Sequence, residues 1–405
     1  MEFTLLIVGM DANAYYMARC YHELTGKKAY LIGKNPIWFT NISKITIPVY
    51  YENLREEKEF IKVLNNFYSE HKDEKILLVS STENYITMIS KNANKLKDKF
   101  YFNYPKNDLI DVITNKELFY KEFTGNEIID IPKTLYYDCS KNEKIKVDFM
   151  YPIIVKAADV VSYRQIDFEG KNKIYKVENE KDFMDILNII KKGGYKGTMI
   201  VQEYIPGDDS HLFDSVIYSD KNGKVKRITM AQIGLQEHTK DLVGNAAVMI
   251  NGFSTFGDTK EITEKIRKFA DSIKYTGFAE FDLKYDSRDN KFKVLEINPR
   301  QGRSSYYLTP AGCNLVEILA KDLIFNEKID YEILNKEVML SFIPKSIIKN
   351  YTVNKEWLKK AMELWPNHVN PMKYDKDMSL KRNYILFRKD TRYYKDYKFG
   401  YWKNS

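Results

Sequence analysis

Two runs, Gly277-Phe-Ala-Glu-Phe-Asp-Leu-Lys284 and Lys293-Val-Leu-Glu-Ile-Asn-Pro299, alternate apolar and polar residues on either side of Asp286-Ser-Arg-Asp-Asn290. Alternation with a period of two, bounded by turn residues, predicts a β-hairpin. Strand side chains alternate between faces, so Ala279, Phe281, Leu283, Leu295 and Ile297 share one face, and Glu280, Asp282, Glu296 and Asn298 the other. With a turn centred near Arg288, the simplest register sets Glu280 opposite Glu296. Like charges facing each other in a sheet repel. A hard divalent cation removes that conflict, and Mg²⁺ is typically held by one or two carboxylates together with substrate phosphates. An acidic face simply bathed in solvent is the alternative. The sequel Pro299-Arg-Gln-Gly-Arg-Ser-Ser305 favours the cation, because Arg300 and Arg303 suit bidentate contact with phosphate or carboxylate oxygens.

The first hundred residues have another rhythm. Apolar runs at 3–8, 29–32, 45–49, 76–79 and 100–102 are separated by helical patterns at 13–24, 54–68 and 85–96. This is the βαβ pattern of a parallel sheet covered by helices. The first turn, Gly9-Met-Asp-Ala-Asn-Ala14, lacks the three-glycine dinucleotide fingerprint, which argues against an NAD site.

Beyond residue 107 the pattern predicts a helix at 109–123 and a strand, Tyr151-Pro-Ile-Ile-Val-Lys156, that ends in a lysine. Burying an ammonium group is costly unless an anion meets it. A loop at 157–170 and a helix at 180–192 lead to the strand Thr198-Met-Ile-Val-Gln-Glu203. That strand is stopped by Pro206-Gly207 just before Asp208 and Asp209. A strand pair joined by Asp220-Lys-Asn-Gly223, a polar loop at 234–245 and a helix at 261–273 precede the hairpin.

Cys20, Cys139 and Cys313 show neither zinc spacing nor a disulfide framework, which points to a reducing compartment. Met1 to Gly9 carries no basic lead or cleavage site, and no apolar run reaches the ~18 residues of a membrane span. A cytoplasmic location is expected. His22, His71, His211, His238 and His368 are too dispersed for a metal cluster. The net charge of +8 is uneven: residues 371–405 hold ten basic and four acidic residues, so the rest is nearly neutral. That is not the profile of a chain-wide nucleic-acid binder.

Taken together, Asp11–Arg19, Asn115–Tyr120, Met199–Ser210, Tyr275–Asp286, Glu296–Ser305 and Gly312–Leu315 resemble the ATP-grasp carboxylate–amine ligases, and among them the D-aspartate ligases. The resemblance implies an α/β chain of ATP-grasp architecture: an N-terminal parallel-sheet (pre-ATP-grasp) domain at 1–108, an ATP-grasp domain at 109–330 and a basic, aromatic extension at 331–405. The ATP-grasp domain would comprise a central α+β lid subdomain at about 135–205 and a C-terminal mixed-sheet subdomain.

It further implies that Lys116 and Lys156 hold the ATP phosphates. Gln202 would belong to the nucleotide site, with Glu203, Tyr204 and Ile205 offering backbone groups to adenine and Asp208 or Asp209 binding the ribose hydroxyls. Glu280, Glu296 and Asn298 would ligate Mg²⁺ (two ions, with Mn²⁺ able to substitute). Arg300 would stabilise the transferring phosphoryl group, and Arg303, Ser304 and Ser305 would contact the substrate carboxylate. His238 and Asn245 would lie in a substrate loop. Two departures stand out: Ala157-Ala-Asp-Val-Val-Ser162 is not a glycine-rich phosphate flap, and residues 236–245 differ from the family pattern.

The implied activity is ATP-dependent coupling of an amino-acid carboxylate, D-aspartate by resemblance, to an amine. The implied partners are that amino acid and an amine-bearing peptidoglycan precursor, with a homodimer and weak association with the anionic cytoplasmic membrane surface also expected. No stable nucleic-acid partner is expected. Two alternatives stay open at this level: an L-amino-acid or dipeptide ligase, and a non-enzymatic protein that binds RNA through its basic, aromatic C-terminal stretch.

Overall fold

The structure, a computed structural model, describes residues 1–400 apart from Ser81, Asn142, Lys144, Lys240, Asp241 and Val243. Tyr401, Trp402 and Lys403 of the C-terminal stretch, and three positions of the 236–245 segment, therefore lie outside the described residues. The chain divides into two compact units: Met1–Asn107 with Asp208–Phe281 and Asn298–Ser405, and Asp108–Gly207 with Asp282–Ile297.

The first unit opens with the expected α/β alternation. It runs β1 (Thr4–Val8), α1 (Ala12–Thr25), β2 (Ala29–Gly33), α2 (Trp38–Asn41), β3 (Thr46–Tyr50), α3 (Glu57–Glu70), β4 (Ile76–Ser80), α4 (Glu83–Lys91) and α5 (Ala93–Leu96). The strands are all parallel, in the order β3-β2-β1-β4. Leu5 to Val8 are buried on both faces, as parallel strands covered by helices must be. Asp11 caps α1 by accepting from the Ala14 amide at 3.0 Å, and Gly26 ends it in the left-handed region at φ 71°.

Two expectations fail here. The 85–96 helix is two helices, because the Asn92 side chain donates to the Met88 carbonyl at 3.1 Å and closes the first. The 100–102 run makes only one bridge, Tyr101 with Leu77, before the chain turns away at Asn103.

The second unit carries α6 (Asn107–Thr114), α7 (Lys116–Phe123), β5 (Thr134–Asp138), β6 (Ile153–Ala157), α8 (Val160–Gln165), β7 (Ile174–Val177), α9 (Glu180–Lys192) and β8 (Thr198–Glu203). Its antiparallel sheet has the order β5-β8-β6-β7. Phe183, Leu187 and Ile190 of α9 join Val155, Met199 and Val201 in its core. The single helix expected at 109–123 is broken at Asn115, whose side chain accepts from the amides of Glu117 and Leu118 and starts a new helix. The expected 157–170 loop contains α8.

The remaining strands are β9 (Leu212–Ser219), β10 (Val225–Ile228), β11 (Ala231–Gln236), β12 (Ala246–Asn251), β13 (Gly277–Asp286), β14 (Lys291–Asn298), β15 (Glu332–Ile333) and β16 (Val338–Ser341). They form one sheet, β14-β13-β9-β11-β12-β16, with β10 beside β9 and β15 beside β10. The hairpin read from the sequence is β13 and β14, joined through Asn290 at φ 57°. The polar loop expected to begin at 234 begins later, because β11 runs on to Gln236.

Among the described residues the remaining α-helices are α10 (Lys260–Ser272), α11 (Leu308–Ala311), α12 (Leu315–Leu323), α13 (Lys345–Tyr351), α14 (Lys355–Leu364) and α15 (Leu380–Phe399). The fully buried Trp357 of α14 donates its indole N–H to the Gln232 carbonyl at 3.3 Å, over Gly234, where any Cβ would overlap its ring. The basic C-terminal stretch is α15. Arg382, Leu386, Tyr393 and Tyr397 recur at helical spacing and are buried within the first unit, while Lys381, Arg388, Arg392, Lys395 and Lys398 are exposed. Arg382 and Asp377 are both fully buried and pair at 3.4 Å, so part of the basic excess serves packing.

Candidate active site

In the second unit, Lys116 is the first residue of α7, and its ammonium group pairs with Glu296 of β14. Lys116 lowers the Glu296 carboxyl to about 2, against the opposing effect of burial, and Asp282 adds a hydrogen bond. Burial would depress the Lys116 ammonium, but Glu296 outweighs it and the pKa is raised. Nζ of Lys156 lies 3.2 Å from the Tyr120 hydroxyl and 3.1 Å from Oε1 of Gln202. Two lysines, Gln202 and Glu296 are thus arranged around Tyr120, whose hydroxyl donates to the Leu295 carbonyl at 2.5 Å.

At the end of β8, Glu203 accepts from the Lys133 amide at 3.0 Å and pairs with Arg288 at 3.2 Å. Its side chain is engaged, and its own amide donates to the Lys133 carbonyl at 2.9 Å. The Tyr204 ring has Lys176 at 5.0 Å and Lys284 at 5.4 Å from its centroid, and Ile205 is buried.

In the first unit, Arg300 lies 3.4 Å from Glu280 and 3.4 Å from the Asn298 amide oxygen, and 3.6 Å from Glu83. The Ser304 hydroxyl bridges Glu280, at 2.9 Å, and Asp214. Burial, and then the neighbouring Glu280, push the Asp214 carboxyl well above the usual range. Gly302 lies against the Glu280 carboxylate, where a Cβ would overlap it.

Other expected site residues have partners within the protein. Ser305 is fully buried and accepts from the Gly302 amide at 2.7 Å, so its hydroxyl is not presented to a substrate. Asp208 accepts from Ser210, and Asp209 accepts from the Gln236 backbone at 2.8 Å and side chain at 2.7 Å. Asn245 donates to the Leu242 carbonyl at 2.8 Å. His238 stacks on Tyr397 with centroids 4.1 Å apart, and burial lowers its pKa. Arg303 pairs with Glu237 and stacks 4.1 Å over Phe342.

Asp214, which Ser304 joins to Glu280, escaped the sequence reading. Asp214 had a legible signal, a lone acid inside the apolar strand Leu212-Phe-Asp-Ser-Val216.

Among the described residues, no three His, Cys, Asp or Glu side chains converge into a ready-made metal cage. The donors present at Glu280, Glu296 and Asn298 are carboxylate and amide oxygens, and Arg300 and Lys116 stand beside the two carboxylates. Each is an oxygen donor of the kind Mg²⁺ takes alongside water and phosphate.

No family model matches the chain. It is 31% identical over 395 residues to D-aspartate ligase of Enterococcus faecium (strain Aus0004), covering 94% of this chain and 92% of that protein. Among solved structures it is similar to N5-carboxyaminoimidazole synthetase from Staphylococcus aureus (TM-score 0.60, 16% identity, 84% of this chain and 82% of that one). It is also similar to L-amino acid ligase from Bacillus licheniformis (TM-score 0.55, 15% identity, 79% and 74%). With 31% identity to a D-aspartate ligase along 94% of its length, the chain belongs to the D-aspartate ligase family of ATP-grasp carboxylate–amine ligases.

Proposed function

We propose that the protein is an ATP- and Mg²⁺-dependent ligase that activates a carboxylate of D-aspartate as an acyl phosphate. It then couples that group to an amine, the lysine side chain of a peptidoglycan precursor. The 31% identity to D-aspartate ligase along 94% of the chain carries the reading.

A carboxylate is a poor electrophile because its leaving group would be oxide. Transfer of the γ-phosphoryl group from ATP to a carboxylate oxygen releases ADP and leaves phosphate as the group to depart. The amine then attacks the carbonyl carbon, phosphate leaves, and the amine loses a proton as the amide forms. Such transfer needs positioning and charge neutralisation more than covalent help from the protein, so the chain requires no serine, cysteine or histidine nucleophile.

Lys116 and Lys156 bind phosphate oxygens. Gln202 orients Lys156, the backbone of Glu203 to Ile205 meets adenine, and Asp208 or Asp209 meets the ribose. Glu280, Glu296 and Asn298 hold Mg²⁺, which when bound neutralises phosphate charge. Arg300 stabilises the transferring phosphoryl group, and Arg303 with Ser304 orients the amino acid.

Incubation with ATP, Mg²⁺ and a panel of D- and L-amino acids, with phosphate release as readout, tests the donor. D-aspartate should dominate, and preference for an L-acid overturns the assignment. Mass spectrometry of the product formed with a stem-peptide precursor tests the acceptor: a product heavier by one aspartyl residue on lysine is expected. In Glu296→Ala, Mg²⁺-dependent ATP cleavage should disappear with the fold intact; near-normal turnover refutes that metal role.

A further inference from the structure

Helix α15 closes over the end of β11 in the first unit. The Tyr393 hydroxyl donates to Glu237 at 3.1 Å, and the Tyr397 hydroxyl donates to the Gln236 carbonyl at 2.5 Å. Glu237 is 1% exposed and pairs with Arg303, whose guanidinium lies over Phe342. Among the described residues, the buried Nη1 of Arg303 has no hydrogen-bond partner. One turn before Tyr393 on α15, Lys389 places its Nζ 5.9 Å from the Tyr393 ring centroid and 5.8 Å from that of Phe39. Among the described residues Lys389 makes no ion pair, and the adjacent Asp390 is already paired with Lys373 at 2.9 Å.

The cluster therefore holds two cations and one carboxylate. A buried donor without an acceptor and a half-buried ammonium without a counter-ion are both costly unless an anion completes them. Burial, and then Arg303, lower the Lys389 pKa to about 8, as expected where positive charge exceeds negative. An amino acid that keeps a free carboxylate and an ammonium group, after giving up another carboxylate to phosphorylation, complements this set.

We propose that Glu237, Arg303 and Lys389 bind the non-reacting end of the amino-acid substrate: Glu237 takes its ammonium group, and Arg303 and Lys389 share its free carboxylate. The site thereby selects a dicarboxylic amino acid, because a monocarboxylic one spends its single carboxylate in the reaction and leaves both cations uncompensated. This rests on the ligase reading above and assigns its donor specificity to a helix far from the nucleotide motifs in sequence.

The test uses the full chain with ATP, Mg²⁺ and either D-aspartate or D-alanine, with hydroxylamine as the amine and hydroxamate as the readout. Lys389→Met should raise the KM for D-aspartate about 10-fold and lower the aspartate-over-alanine preference by a similar factor, with the KM for ATP changed by less than about twofold. Lys389→Arg should restore most of the loss. Glu237→Gln should weaken D-aspartate use more than Lys389→Met does, since it removes the ammonium partner and frees Arg303.

An unchanged KM for D-aspartate in Lys389→Met overturns the inference and leaves the ligase reading standing. So does an equal rise in both KM values with a lowered melting temperature, which marks a purely structural role. Absence of hydroxamate with every amino acid in the wild-type protein sinks the ligase reading itself.

Discussion

Nζ of Lys156, on β6, lies 3.1 Å from the Gln202 amide oxygen on the neighbouring strand β8, while Gln202 donates its own amide nitrogen to the Thr134 hydroxyl at 2.9 Å. A lysine that would otherwise swing on four methylenes is held by an amide that is itself fixed. Replacing Lys156 with Met should cut ATP turnover by about 100-fold or more, since a positioned cation is lost where phosphate charge develops. Gln202→Leu should keep the charge but free its direction, for a loss of about 10-fold. Steady-state ATP kinetics of the two variants check the order, and an equal or larger loss in Gln202→Leu contradicts it.

Gly302 leaves no room for a side chain beside the Glu280 carboxylate. Gly302→Ala should therefore push Glu280 off its contacts with Ser304 and Arg300, abolishing turnover while costing about 1–3 kcal/mol of stability for the disturbed buried hydrogen bonds. Chemical denaturation and ATP cleavage measured on the same sample separate the two effects. Full activity in this variant would show that Glu280 is free to move.

Lys389 titrates near pH 8 when folded, because burial and Arg303 oppose its charge, with Glu237 and Asp390 as the facing acids that partly offset them. The unfolded chain holds that proton up to about 10.4. Between these values the unfolded state binds more protons, so stability attributable to Lys389 rises with pH across that window. Lys389→Met should accordingly be more stable than wild type below pH 8, with the difference shrinking by pH 10. Affinity for a substrate carboxylate should run the other way, with the wild-type KM rising above pH 8 and the variant's staying flat. Thermal melts and amino-acid KM values from pH 7 to pH 10 read both.

Cys20, Cys139 and Cys313 are buried, and burial pushes their thiols up to about 12, about 11 and about 12. The thiolate is the reactive form, so iodoacetamide at pH 8 should leave the native protein unmodified and active. In 6 M guanidinium all three should react within minutes. Rapid labelling of the native chain, followed by mass spectrometry, would disprove this.

Periodicity and turn chemistry decide locally, which is why the parallel sheet of β1 to β4, the hairpin of β13 and β14 and the helix α9 were readable from residues alone. Side-chain competition with the helix backbone is equally local but was missed: Asn115 starts a new helix and Asn92 closes one where hydrophobic spacing alone ran on. Ser304 and Ser305 look interchangeable in sequence. The turn after Asn298 aims one hydroxyl at Asp214 and Glu280 and spends the other on the Gly302 amide.

The sequence by itself determined the element types, the acidic face carrying Glu280 and Glu296, and the set of lysines and arginines that a phosphate chemistry needs, because strand alternation and residue chemistry are set within a few residues. Only the tertiary structure decided that Lys116 meets Glu296, that Arg303 meets Glu237 and that α15 brings Tyr393 to the same carboxylate. Those pairings join residues from 66 to 180 positions apart, and they depend on how sheets and helices close over one another, which no local pattern encodes.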